Sequence, residues 1–253
     1  MKVVPVTCRY VDSIASSAGK RNVLLIQKVA EIIRVHQNND IAVAFGIVSA
    51  RILEAVILSS STSSSTPALL LQSLDTCYDN LRSDLEAILG TDKSDIVDMV
   101  LTAYQRGKSA VAEYATLDEL LLQLSHEKMK GQAKDPFYDF AARNCALPGS
   151  FIGPLYILYK VAMSSNSGAV IDESTYIKAI RENIFAAGDT CGRGTFIGAV
   201  LAAAMAGSSG STDTDTIFQS LWNKVEVDTR NEIDSYANGI AAQQLAGAAK
   251  DEL

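Results

Sequence analysis

The chain reads as a succession of apolar stripes at helical spacing. Between residues 23 and 35, Leu24, Ile26, Val29, Ile32 and Ile33 recur at intervals that gather them on one broad helix face. The polar bend Gln37-Asn38-Asn39 interrupts this pattern, and Asp40 stands where it can cap a longer helix over residues 41–58. The run 59–66, SSSTSSST, has almost nothing to bury and predicts an exposed surface loop. Pro67 follows at a position where a first helical residue is favoured, and the stripe continues to Leu89 before Gly90. Further helices are predicted over 94–105, 117–129, 150–163, 174–187, 191–206, 216–224 and 230–246. No window alternates apolar and polar residues at period two, so a sheet is not expected. With no internal repeat and no clear boundary, residues 1–253 are expected to form one all-α domain of orthogonal or layered helices.

Composition narrows the range of functions. An apolar fraction of 48% over 253 residues is enough for a substantial core. A net charge of -7 leaves no basic footprint, which sets nucleic acid aside as a primary partner. Cys8, Cys77, Cys145 and Cys191 are widely separated and lack CxxC or Cys/His zinc spacing, so reduced thiols are expected. The apolar runs at 151–163 and 195–207 are too short to span a bilayer, which predicts a soluble chain without a transmembrane segment. Residues 1–10 lack the apolar core of a signal peptide, yet Lys250, Asp251, Glu252 and Leu253 spell an endoplasmic reticulum retention address. That ending is expected to be an accident of an acidic, alanine-rich tail, and the compartment stays open.

One segment concentrates chemical possibility: residues 184–207, IFAAGDTCGRGTFIGAVLAAAMAG. Gly194, Gly198, Ala202 and Ala206 recur every four positions and give the helix a smooth stripe for close packing. This helix is expected to be the most buried in the molecule. Asp189 follows the tight pair Ala187-Gly188 and begins it, with either Asp189 or Thr190 as an ordinary N-cap. Its positive end could hold a phosphate or a metal-bound carboxylate. Arg193 would repel a bound cation and could instead hold an anion. Cys191, beside a helix N-terminus and Arg193, is a candidate thiolate nucleophile, set against a plain space-filling role. His36 and His126 read as surface or capping residues. The run STDTDT at 211–216 mimics a metal motif, but its polar loop setting predicts turn and cap chemistry.

These residues carry a resemblance to the ADP-ribosylglycohydrolase and J1-crystallin superfamily. Residues 184–207 resemble the family's Gly-Gly-Asp-Thr-Asp-Thr signature and the small-residue helix after it. Residues 144–153, NCALPGSFIG, resemble a block of the J1-crystallin branch, and residues 35–57, VHQNNDIAVAFGIVSARILEAVI, resemble the entry to a long alanine-rich helix. The resemblance implies a compact helical fold lacking its N-terminal third, and a ligand site drawn from Asn144, Gly149, Ser150, Asp189, Thr190 and Arg193. It also implies a pair of divalent ions, for which Asp189 is the remaining ligand. At the other two ligand positions stand Cys191 and Gly192, a poor set for Mg²⁺ unless ligands come from elsewhere. Three readings follow: a non-enzymatic structural or interaction subunit, a metal-dependent hydrolase of ADP-ribosyl bonds completed by another segment, and a thiol enzyme using Cys191. Self-association or protein partners fit the first. With Arg193 facing the 144–150 loop, any retained ligand would be anionic and ADP-ribose-like.

Overall fold

In a computed structural model of the chain, residues 3–11, 22–60, 66–128, 142–164, 170–206 and 226–251 are described. Among them every regular element is helical: α1 (Val3–Tyr10), α2 (Val23–His36), α3 (Asp40–Ser60), α4 (Pro67–Leu89), α5 (Ser94–Glu113), α6 (Leu117–Lys128), α7 (Gly149–Ala162), α8 (Glu173–Phe185), α9 (Thr190–Ala206) and α10 (Val227–Asp251). A short 3₁₀ turn, Thr91–Lys93, links α4 to α5. The chain is all-α, as its periodicity predicts. The expected helix at 216–224, the STDTDT run and positions 61–65 of the serine run lie outside the described residues.

Element ends depart from expectation where side chains compete for backbone groups. Asn39, not Asp40, caps α3: its Oδ1 accepts the Ile41 N–H at 2.8 Å, which leaves the Asp40 carboxylate to pair with Arg34 at 2.7 Å. Ser59 and Ser60 extend α3 instead of opening a loop. The Ser59 hydroxyl bonds the Val56 carbonyl and meets the Ser73 hydroxyl of α4 at 2.8 Å, while Ser60 is buried and bonds Ile57. Thr66 then caps α4, and Pro67 takes the first helical turn, as expected. α5 runs to Glu113, beyond the expected end at 105. Gly107 lies within it, and Leu155 of α7 packs 3.0 Å from where a side chain there would begin.

α3 and α7 form the centre. α3 packs against α1, α2, α4, α5 and α9, and α7 against α4, α5, α6, α8 and α9. They meet through Phe45 and Phe151, whose rings are 5.1 Å apart. α7 buries 11 of its 14 residues and α9 only 7 of 17, so α7, not the expected α9, is the more enclosed. The reason lies in the N-terminal half of α9, where Cys191 and Thr195 face solvent. Ile197 and Leu201 are fully buried, as expected. The small-residue stripe works over part of its length: Gly194 lies against Asn183 and Gly198 against Tyr176, both on α8. Ala202 is half-buried and Ala206 exposed.

Among the described helices α3 alone is long and apolar enough to cross a membrane, its apolar stretch interrupted by Arg51 and Glu54. In this fold 67% of its apolar window is buried by other helices. It also carries a buried charge cluster: Arg51 Nη1 donates to Glu54 Oε2 at 2.5 Å, and Arg51 Nε donates to Asp84 Oδ2 of α4 at 2.9 Å.

Candidate functional site

The cleft is built where three distant segments meet. The loop before α7 is anchored from below by Ser125, whose Oγ accepts the Ala142 N–H at 2.9 Å. It is tied to the start of α9 by the Asp189 N–H, which donates to the Arg143 carbonyl at 2.7 Å. Between α8 and α9 the backbone turns through Ala187 (φ 55°) and Gly188 (φ 73°). Glycine is required at 188, because its conformation is left-handed and a Cβ there would collide with the Arg143 carbonyl. The turn places Asp189 ahead of α9. Its Oδ1 accepts the Gly192 N–H at 3.1 Å, the ordinary N-cap that the sequence allows.

Arg193 is the pin of this junction. It is 1% exposed, and its guanidinium points into the protein instead of the cleft. Nε donates to Asn183 Oδ1 at 2.9 Å, Nη1 to the Arg143 carbonyl at 3.0 Å, and Nη2 to the Ala187 carbonyl. Burial pushes its pKa below the usual guanidinium value, against an opposing pull from Asp189. The expectation that Arg193 faces the cleft is therefore corrected: three acceptors from three backbone segments claim it instead.

The cleft itself measures about 540 Å³ and draws on all three segments singled out in the sequence. His36, Gln37, Ala42, Phe45, Gly46 and Ser49 come from the first; Cys145, Leu147, Ser150 and Phe151 from the second; Asp189, Gly192 and Phe196 from the third. Val3, Val4 and Ile33 complete it. Of the residues expected to bind a ligand, Ser150 and Asp189 line the cleft, whereas Asn144, Gly149, Thr190 and Arg193 do not. Asn144 is exposed and folds its Oδ1 back to the Ala146 N–H at 2.9 Å. Thr190 gives its carbonyl to the Asn183 amide at 2.8 Å. The aromatic and aliphatic wall from α2, α3 and α9 was not anticipated, although Phe45 and Phe196 stand inside the segments already marked.

The helix starts beside the cleft have little left for an anion. At α7 the N–H groups of Ser150, Phe151 and Ile152 donate to the carbonyls of Ala146 and Pro148. At α9 those of Thr190, Gly192 and Arg193 are also engaged, by Gly188 and Asp189. For a divalent ion the described cleft lining offers one carboxylate, Asp189. A Cβ at position 192 would meet the Asp189 carboxylate, which caps α9 through the Gly192 N–H, so a ligand side chain there would require Asp189 to turn aside. Among the described residues no three His, Cys, Asp or Glu side chains are grouped to hold a metal.

Cys191 is exposed at the start of α9 but lies off the cleft lining, whereas Cys145 is exposed and lines it. An aromatic disulfide reagent is expected to modify both in the native protein. Cys77, whose thiol is pushed up to about 12 by burial, should react only on unfolding. Peptide mapping by mass spectrometry checks this, and native labelling of Cys77 at a comparable rate would contradict it. No protein-family model, curated protein or solved structure matches the chain.

Proposed function

We propose that this chain is a non-catalytic relative of the ADP-ribosylglycohydrolases and J1-crystallins, a structural or interaction subunit that keeps the family's cleft without its metal chemistry. The observation that carries the reading is convergence. The three segments that bear the resemblance, more than a hundred residues apart at their extremes, line one cleft. The resemblance rests on residue order, and a shared cleft is what it would require.

Loss of the metal chemistry is argued from the donors themselves. Asp189 holds the α9 backbone with one carboxylate oxygen, and it is the one carboxylate among the described residues that line the cleft. Hard divalent ions need several oxygen donors arranged around them, and this corner offers one carboxylate. Calorimetric titration with Mg²⁺ is the test, together with an assay for release of ADP-ribose from ADP-ribosylated protein. No stoichiometric tight site and no turnover are expected. A tight site that disappears in Asp189→Asn, a substitution that preserves the cap, would restore the hydrolase reading.

A further inference from the structure

We infer that the cleft binds a hydrophobic organic cation, an amine or quaternary ammonium group carried on an apolar body, with Asp189 as its counter-charge. The starting point is the balance of charge across the turn. Arg193 is held on the protein side of the Ala187 to Asp189 backbone, bonded to two carbonyls and an amide oxygen, and none of those bonds reaches Asp189. Arg143, the other nearby guanidinium, pairs with Asp118 at 2.7 Å and bonds the Ala186 carbonyl. Neither arginine lines the cleft. Among the described lining residues Asp189 is the one carboxylate and there is no lysine or arginine; His36 and Cys145 are the other titratable side chains.

The walls supply the rest of the specificity. Phe45, Phe151 and Phe196 present aromatic surface, and Val3, Ile33 and Leu147 add aliphatic surface. The negative face of an aromatic ring attracts a cation, and apolar walls reward an apolar body, so the two features favour the same ligand. A volume of about 540 Å³ falls within the range of pockets that hold small organic molecules. An anion would meet the opposite: a carboxylate, and helix starts whose described N–H groups are mostly engaged. Such a ligand differs in sign from the one the sequence implies, and the difference follows from the direction Arg193 takes.

The inference rests on the reading that the cleft holds no divalent ion, and the experiment separates the two. The full chain is titrated with benzyltrimethylammonium, with its neutral isostere neopentylbenzene and with phenylacetate, each with and without Mg²⁺, by ligand-observed nuclear magnetic resonance. The cation is expected to bind in preference to both others, unaffected by Mg²⁺. Asp189→Asn keeps the cap and should weaken the cation by about tenfold, leaving the neutral probe unchanged. Ala42→Trp, which fills the cleft from α3, should abolish binding of every probe. Equal binding of cation and neutral isostere, preference for phenylacetate, or an unchanged affinity in Asp189→Asn would overturn the inference. Competition by Mg²⁺ that Asp189→Asn abolishes would instead overturn the non-catalytic reading.

Discussion

Arg193→Ala is expected to destabilise the protein by about 3–5 kcal/mol, measured as a fall in the urea midpoint at constant slope. The substitution strands three acceptors at once: the buried Asn183 side chain and the half-buried carbonyls of Arg143 and Ala187. It also leaves a void beside Gly153, which lies 3.2 Å, measured from where its Cβ would be, from the Arg193 side chain. The loss concentrates where the site is made, since the same guanidinium ties the loop before α7 to the turn before α9. Arg193→Lys should recover only part of the deficit, because an ammonium cannot reproduce a planar fork aimed at three acceptors. A midpoint unchanged in Arg193→Ala would show that the guanidinium is not the pin described above.

Arg51→Met should cost about as much, roughly 3–5 kcal/mol, for a different reason. It leaves Glu54 and Asp84 buried with no cation between them, whereas in the native protein Arg51 bonds both. The pH dependence distinguishes this cause from simple loss of packing. Burial already holds the Glu54 carboxyl above its ordinary range, and Arg51 opposes that rise. A carboxyl raised on folding stabilises the fold fully below its unfolded value and loses that contribution as pH climbs through the folded one. Removing Arg51 enlarges the loss at neutral pH, so the gap between variant and parent should narrow as pH falls toward about 4. Glu54→Gln should act in the opposite direction at neutral pH, holding or raising the midpoint. At Glu54 the cost of burial outweighs the pull of Arg51, so its charge has little to lose there. A gap for Arg51→Met that is constant with pH would assign the cost to packing.

The sequence by itself determined the helical class and most of the helix positions, because a stripe such as Leu24, Ile26, Val29 and Ile33 is a local property of spacing. It also marked the three segments that line the cleft, and it narrowed the N-cap of α9 to Asp189 or Thr190, of which the fold uses Asp189. Helix ends were less legible. Asn39 and Asp40 are both good caps, and the choice fell to Asn39 once Arg34 claimed the Asp40 carboxylate. Ser59 joins α3 because Ser73 of α4 is there to meet it.

What only the tertiary structure decided is the sign of the cleft. Read along the chain, Arg193 stands four residues after Asp189, and nothing local says which way a long side chain will turn. Its direction is set by the carbonyl of Arg143, fifty residues earlier, and by the carbonyl and amide that α8 and the following turn bring beneath it. The burial of α7 ahead of α9, and the aromatic wall from Phe45, Phe151 and Phe196, are likewise products of which helices cross. Periodicity fixes the face that a helix buries, but a side chain's charge acts through the partners that folding brings to it, and those partners are distant in sequence.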